Sequence, residues 1–199
     1  MFDKIILGSV LLGFLSAPIS LIKKPRFFWG SAIFDPISFF WMISFFLYGP
    51  MGALISSLIG ALAISLLSRE PTPIVGAILK FTGTLTVWIT FYFILLISPH
   101  MFCSAIYFHE LTIYSPSVLL AAIMRCIVEI TACFFAIPYF LTVSQKVSIS
   151  FPMMIERFGG LFRYFFIMIG LNFWLTILDT IIPWLVVYPT GIYSRFAVW

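Results

Sequence analysis

The stretch PISFFWMISFFLYGPMGALISSLIGALAISLL, from Pro36 to Leu67, decides how this chain is built. It carries no Asp, Glu, Lys or Arg and is interrupted once, at Tyr48-Gly49-Pro50. Glycine reaches backbone conformations closed to other residues, and proline brings no main-chain donor to a helix. The interruption predicts a tight hairpin between two apolar helices, 36–48 and 50–67. About 20 apolar residues are needed to cross the hydrocarbon of a bilayer, so both are short spans.

The same punctuation recurs outward from this stretch. An apolar run over 4–22 stops at Lys23-Lys24-Pro25-Arg26. Asp35-Pro36, Thr72-Pro73 and Ser115-Pro116 each read as an N-cap followed by proline at the first helical position. They open helices over 36–48, 73–98 and 116–139. The last run, 161–187, stops at Tyr188-Pro189. Ser150 to Phe158 reads as a short interfacial helix. Hydrophobic residues make up 62% of the 199 and charged residues 9%, too few to coat a soluble domain. The sequence therefore predicts an all-α membrane protein, a six-transmembrane-helix bundle forming one integral membrane domain over 1–199. The run from Ile5 to Ile22 outlasts a signal-peptide core and is followed by Lys23-Lys24-Pro25 in place of a small-residue cleavage site, so it reads as a retained span. No internal repeat is visible, which argues against transporter folds built from inverted repeats.

Several function classes are disfavoured. There is no Walker-type phosphate loop and no dinucleotide fingerprint, so energised transport needs an ion gradient or a partner. A net charge of +4 without a Lys/Arg run gives no nucleic-acid footprint. Cys103, Cys126 and Cys133 lack metal spacing, and His100, His109 and Glu110 lack a third ligand. No catalytic constellation stands out. The expectation is a protein that is not an enzyme and holds no metal and no resident cofactor.

Polar groups within the spans carry what functional signal there is, because a charge at mid-bilayer costs about 2.5–3.5 kcal/mol on insertion scales. Lys80, two turns into its helix, either snorkels to the surface or points into a ligand cavity. Arg125 and Glu129 are four apart on one helix face and read as a structural ion pair. Asn172, Thr176 and Asp179 form a polar stripe flanked by Trp174 and Trp184. The stripe either glues helices together or lines an aromatic-walled site for a small planar ligand. Ser9, Gly13 and Ala17 form a small-residue stripe on the first helix, and Gly52, Ser56 and Gly60 form one on the third.

Four stretches give the chain a resemblance to a known family. They are Tyr48-Gly49-Pro50-Met51-Gly52-Ala53, Gly76-Ala77-Ile78-Leu79-Lys80-Phe81, Arg125-Cys126-Ile127-Val128-Glu129 with Ile137-Pro138-Tyr139, and Leu171-Asn172-Phe173 with Ile181-Ile182-Pro183-Trp184. In order and spacing these resemble the substrate-binding S components of energy-coupling factor vitamin transporters, most of all the riboflavin branch. The resemblance implies a six-helix bundle that captures a vitamin near the outer face of the cell membrane, with cytoplasmic termini. It implies partners as well: a transmembrane coupling subunit and two cytoplasmic ATPases. Asn172 stands where the riboflavin branch contacts the flavin, Lys80 matches a fourth-helix lysine, and Thr176 and Asp179 extend that ligand-binding set. Ser9, Gly13 and Ala17 stand where the family docks its coupling subunit, matching in size but not identity. Segments 23–34 and 146–158 are expected to close over the ligand.

One feature departs from the family. Lys23, Lys24, Arg26, Arg69, Lys146, Arg157 and Arg163 gather on one side, with Lys4 and Arg195 on the other. The positive-inside rule places the termini outside; the family topology, adopted here, places them inside. The rival expectations are a gradient-driven carrier using Arg125, Glu129 or Asp179, and a structural subunit of a membrane complex.

Overall fold

The computed structural model describes residues 2–22, 36–68, 72–97 and 105–199. In chain order they form α1 (Phe2–Ser20), α2 (Ile37–Leu67), α3 (Pro73–Ile97), a 3-10 turn (Ala105–His109), α4 (Leu111–Gln145), α5 (Phe151–Arg157), α6 (Leu161–Val187) and α7 (Ile192–Phe196). α1, α2, α3, α4 and α6 are each long and apolar enough to cross a membrane. No strand occurs among the described residues. The protein is an all-α membrane bundle.

α2 is not straight. At Gly49 the backbone takes φ 73°, ψ −167°, a region essentially reserved for glycine, and Pro50 follows. A Cβ on Gly60 would collide with the indole of Trp41. Nineteen residues apart on one straight helix, those positions would be separated by about 28 Å. The helix therefore folds back into two antiparallel arms, 37–48 and 50–67, and the described residues contain six long rods. The first arm is about 18 Å long at 1.5 Å per residue, shorter than a hydrocarbon core of about 30 Å. Both chain ends lie beside the hairpin: a Cβ on Gly8 would strike the Tyr48 ring, and Val198 N–H donates to Leu47 O at 3.0 Å.

Small residues set the approach of α1 to α2. A Cβ on Gly13 would lie 2.8 Å from Ile59 Cβ and 3.1 Å from Ser56 O. Ser44 donates to Ser9 Oγ at 3.3 Å, and Trp41 Nε1 to Ser16 Oγ at 3.3 Å. Ser9, Gly13 and Ser16 are buried and Ala17 is half-buried. Ser9 and Gly13 of the stripe expected to dock a coupling subunit thus pack within the chain, against Gly52 and Ser56. Small side chains favour whichever helix can come closest, and the hairpin arm is already there. The outward face of α1 carries Leu7, Leu11 and Phe14 instead.

The limits of α4 differ most from those expected. α4 begins at Leu111, so Ser115 and Pro116 lie inside it; Ser115 Oγ donates back to Leu111 O at 2.8 Å. The Tyr114 hydroxyl donates to Thr180 O at 2.7 Å and pins this first turn to α6. α4 also continues through Pro138 to Gln145, where Lys146 takes a left-handed φ of 55°. Neighbouring helices support a proline inside a membrane helix, so it is a poor stop signal there. Asp35, expected to cap α2, lies outside the described residues, and Pro36 occupies the cap position. α5 falls within the expected interfacial segment, and α6 spans the expected 161–187.

The interior is divided by depth. The hairpin half is filled with aromatic rings: Phe45, Phe46, Trp88, Phe91, Phe108, Tyr114 and Tyr188 form one cluster. Trp184 stacks on Tyr114 at 5.5 Å and 27°, and its Nε1 donates to Phe108 O at 2.6 Å. At the opposite end, α4, α5 and α6 share a second core around Cys133, Leu141, Met154, Tyr164 and Met168. A third cluster of Ile37, Trp41, Ile64 and Ala77 joins α2 to α3.

Candidate functional site

Between these cores lies a set of buried charges. Asp179, 4% exposed on α6, is the hub. Arg125 of α4, 3% exposed, donates through Nη1 to Asp179 Oδ2 at 2.7 Å. Lys80 Nζ of α3 lies 3.6 Å from the same oxygen. The Ser38 hydroxyl donates to Asp179 Oδ1. Four helices thus meet on one carboxylate at the depth where the first arm of α2 begins.

The local reasons can be read from each element. Ser38 is the second residue of α2, in the first turn, where free backbone donors and the helix dipole favour a carboxylate. The Tyr114–Thr180 bond ties the same two helices, α4 and α6, that carry Arg125 and Asp179. Lys80 reaches the centre along its own flexible stem, with its side chain 9% exposed. Charge-assisted hydrogen bonds are stronger than neutral ones in a medium of low dielectric.

Arg125 and Glu129 do not form the expected ion pair. Among the described residues the ion-pair partner of Arg125 is Asp179, while Glu129 Oε1 accepts from Thr82 Oγ1 at 3.2 Å. Both side chains instead press against Gly83: a Cβ there would lie 2.8 Å from Glu129 Oε1 and 3.2 Å from Arg125 Nε. Spacing of four along a helix permits a pair but does not require one. The carboxylate on the facing helix gives Arg125 a shorter and better aligned partner. Arg125 Nε is buried without a hydrogen-bond partner.

The polar stripe on α6 behaves in two ways. Asn172 and Thr176 are buried, and their donors turn back onto α6 itself: Asn172 Nδ2 to Met168 O at 2.9 Å, Thr176 Oγ1 to Asn172 O at 2.8 Å. Asp179 alone reaches other helices. The structure thus brings Lys80 and Asp179 together and keeps Asn172 and Thr176 one to two turns further along the same helix. Trp184 is partly buried and packs against the aromatic cluster, whereas Trp174 is 48% exposed. Segment 146–158 folds onto the α4–α6 lobe through Ile149, Met154 and Phe158. Segment 23–34 lies outside the described residues.

Sequence reasoning missed Ser38, Thr82 and Gly83. Ser38 follows Pro36 at a helix start, a position where a hydroxyl is commonly read only as a cap. Gly83 lies three residues past Lys80, where a close approach by another helix was a readable possibility. An apolar groove of about 440 Å³ also runs between α3 and α4, lined by Val75, Ile78, Leu79, Ala132, Phe135, Ala136 and Tyr139. It contains none of the charged residues. Among the described residues no His, Cys, Asp and Glu gather in a metal-binding group. No family model, no curated protein and no solved structure matches the chain.

Proposed function

We propose that the protein is a membrane-embedded capture subunit for a small vitamin-type solute, in the first instance a flavin, on which it performs no chemistry. One observation carries this reading: Ser38, Lys80, Arg125 and Asp179 converge from four helices on a single buried carboxylate. Lys80 and Arg125 belong to two of the four stretches that resemble S components, and Asp179 lies between the two α6 pieces of a third. Intramembrane ionisable groups commonly mark a binding path. Fixed donors and acceptors beside aromatic walls are what orient a planar ligand with a polar edge. Asn172 and Thr176 extend the polar wall along α6. Delivery would be to a transmembrane coupling subunit driven by two cytoplasmic ATPases, in the cell membrane, with both termini on the cytoplasmic side.

The test is the absorption and fluorescence spectrum of the protein purified in detergent, before and after denaturation. Flavin released at about one per chain supports capture. A colourless protein that also fails to bind added riboflavin overturns it.

A second reading, a gradient-driven carrier, is favoured by Glu129, a buried carboxyl beside Arg125 with no ion pair between them. Uptake abolished when the ion gradient is collapsed, with ATP maintained, selects the carrier. Uptake that persists selects capture.

A further inference from the structure

The first arm of α2 is anchored at both ends by contacts of different kinds. At its inner end Ser38 donates to Asp179. At its outer end Leu47 O accepts from Val198 N–H at 3.0 Å. That carbonyl lies two residues before the break at Gly49. The Trp199 ring lies over Gly49, where a Cβ would come within 2.8 Å of Cδ2, and meets Phe45 edge-on at 5.0 Å. The Tyr193 hydroxyl donates to Trp199 O at 2.8 Å, closing segment 193–199 into a strap. Between the two anchors the arm is buried almost throughout, from Ile37 through Trp41, Met42, Phe45 and Phe46 to Leu47.

A close-packed helix of this length shifts as a unit, because its neighbours leave no room for local bending. We propose that arm 37–48 is a two-ended linkage that couples the Asp179 centre to the strap 197–199 beside the hairpin. Loss or rearrangement of the Ser38–Asp179 contact displaces the arm and loosens Val198 and Trp199; freeing the strap loosens Ser38 in turn, since coupling between two sites is reciprocal. As regulation of the solute centre, the linkage takes its trigger from the capture reading, but its geometry does not depend on it. With solute bound, the strap would report occupancy on the face that holds both chain ends.

Hydrogen–deuterium exchange on the full chain in detergent or nanodiscs tests the linkage without any solute. Ser38→Ala should speed exchange of the peptide covering 190–199 by about fivefold, as expected when one buried hydrogen bond is lost from a linked unit. Ser38→Thr, which keeps the hydroxyl, should exchange as the parent does. Trp199→Ala should speed exchange at 37–41 by a similar factor. The linkage is overturned if Ser38→Ala affects only 36–42, or if it speeds the α4–α6 core around Leu141 and Met168 as much as the strap. A failed flavin spectrum with an intact linkage would count against capture alone.

Discussion

Arg125 Nη1 donates to Asp179 Oδ2 at 2.7 Å across the α4–α6 interface, joining positions 54 apart in sequence, while Glu129, one turn along α4, takes the Thr82 hydroxyl. Removing one member of a buried ionic group typically costs about 3–5 kcal/mol, toward the low end here because Asp179 keeps Lys80 at 3.6 Å, whereas replacing the whole group with apolar residues is far less damaging. Arg125→Met should therefore lower unfolding stability in detergent by about 3 kcal/mol. The triple variant Lys80→Met, Arg125→Met, Asp179→Leu should recover most of that loss. Equal stability of the single and triple variants would contradict the shared-carboxylate arrangement.

Glu129 offers the complementary comparison. Glutamine in its place keeps an acceptor for Thr82 and removes no ion pair. Glu129→Gln should change stability by no more than about 1 kcal/mol, the scale of one neutral hydrogen bond. A loss as large as that of Arg125→Met in the same unfolding assay would return Arg125 to Glu129.

Glycine contacts give a graded series. Gly13→Ala places a methyl group 2.8 Å from Ile59 Cβ, and Gly60→Ala drives one into the Trp41 indole. Each should destabilise by about 1–3 kcal/mol through overpacking. Gly170 has nothing within 4 Å of its Cβ position, so Gly170→Ala should be neutral or slightly stabilising in the same assay.

The fold at Gly49 determines the parity of the chain. With the hairpin, residues Gly8 and Val198 near the two chain ends both lie beside Tyr48 and Leu47 at one end of the bundle; a straight α2 would separate them. Reporter tags at the two ends, read by accessibility in intact cells, should report the same side. Opposite sides would contradict the hairpin.

Much of this architecture was legible in the sequence because glycine and proline punctuate it physically. Gly49-Pro50 marks the hairpin, and Tyr188-Pro189 marks the end of α6. Pro116 and Pro138 mislead because neighbouring helices support them, which no local pattern records. The candidate centre was legible as a set of residue types: Lys80 and Asp179 stand out as charges in apolar runs. Their partners were not legible. Spacing favours Arg125 with Glu129, and only the packing of α4 on α6 reveals Asp179. The same limit applies to Ser9 and Gly13, whose small size announces a close approach without saying which helix makes it.

The measurement that tests the central claim most directly is a riboflavin titration of ligand-free protein, followed by quenching of flavin fluorescence, for the parent, Asp179→Asn and Asn172→Ala. The capture account predicts saturable binding of about one flavin per chain. It predicts at least about tenfold weaker binding in both variants, since a polar ligand edge left unpaired costs about 1–3 kcal/mol. Absence of saturable binding, or saturable binding that neither variant weakens, would contradict it.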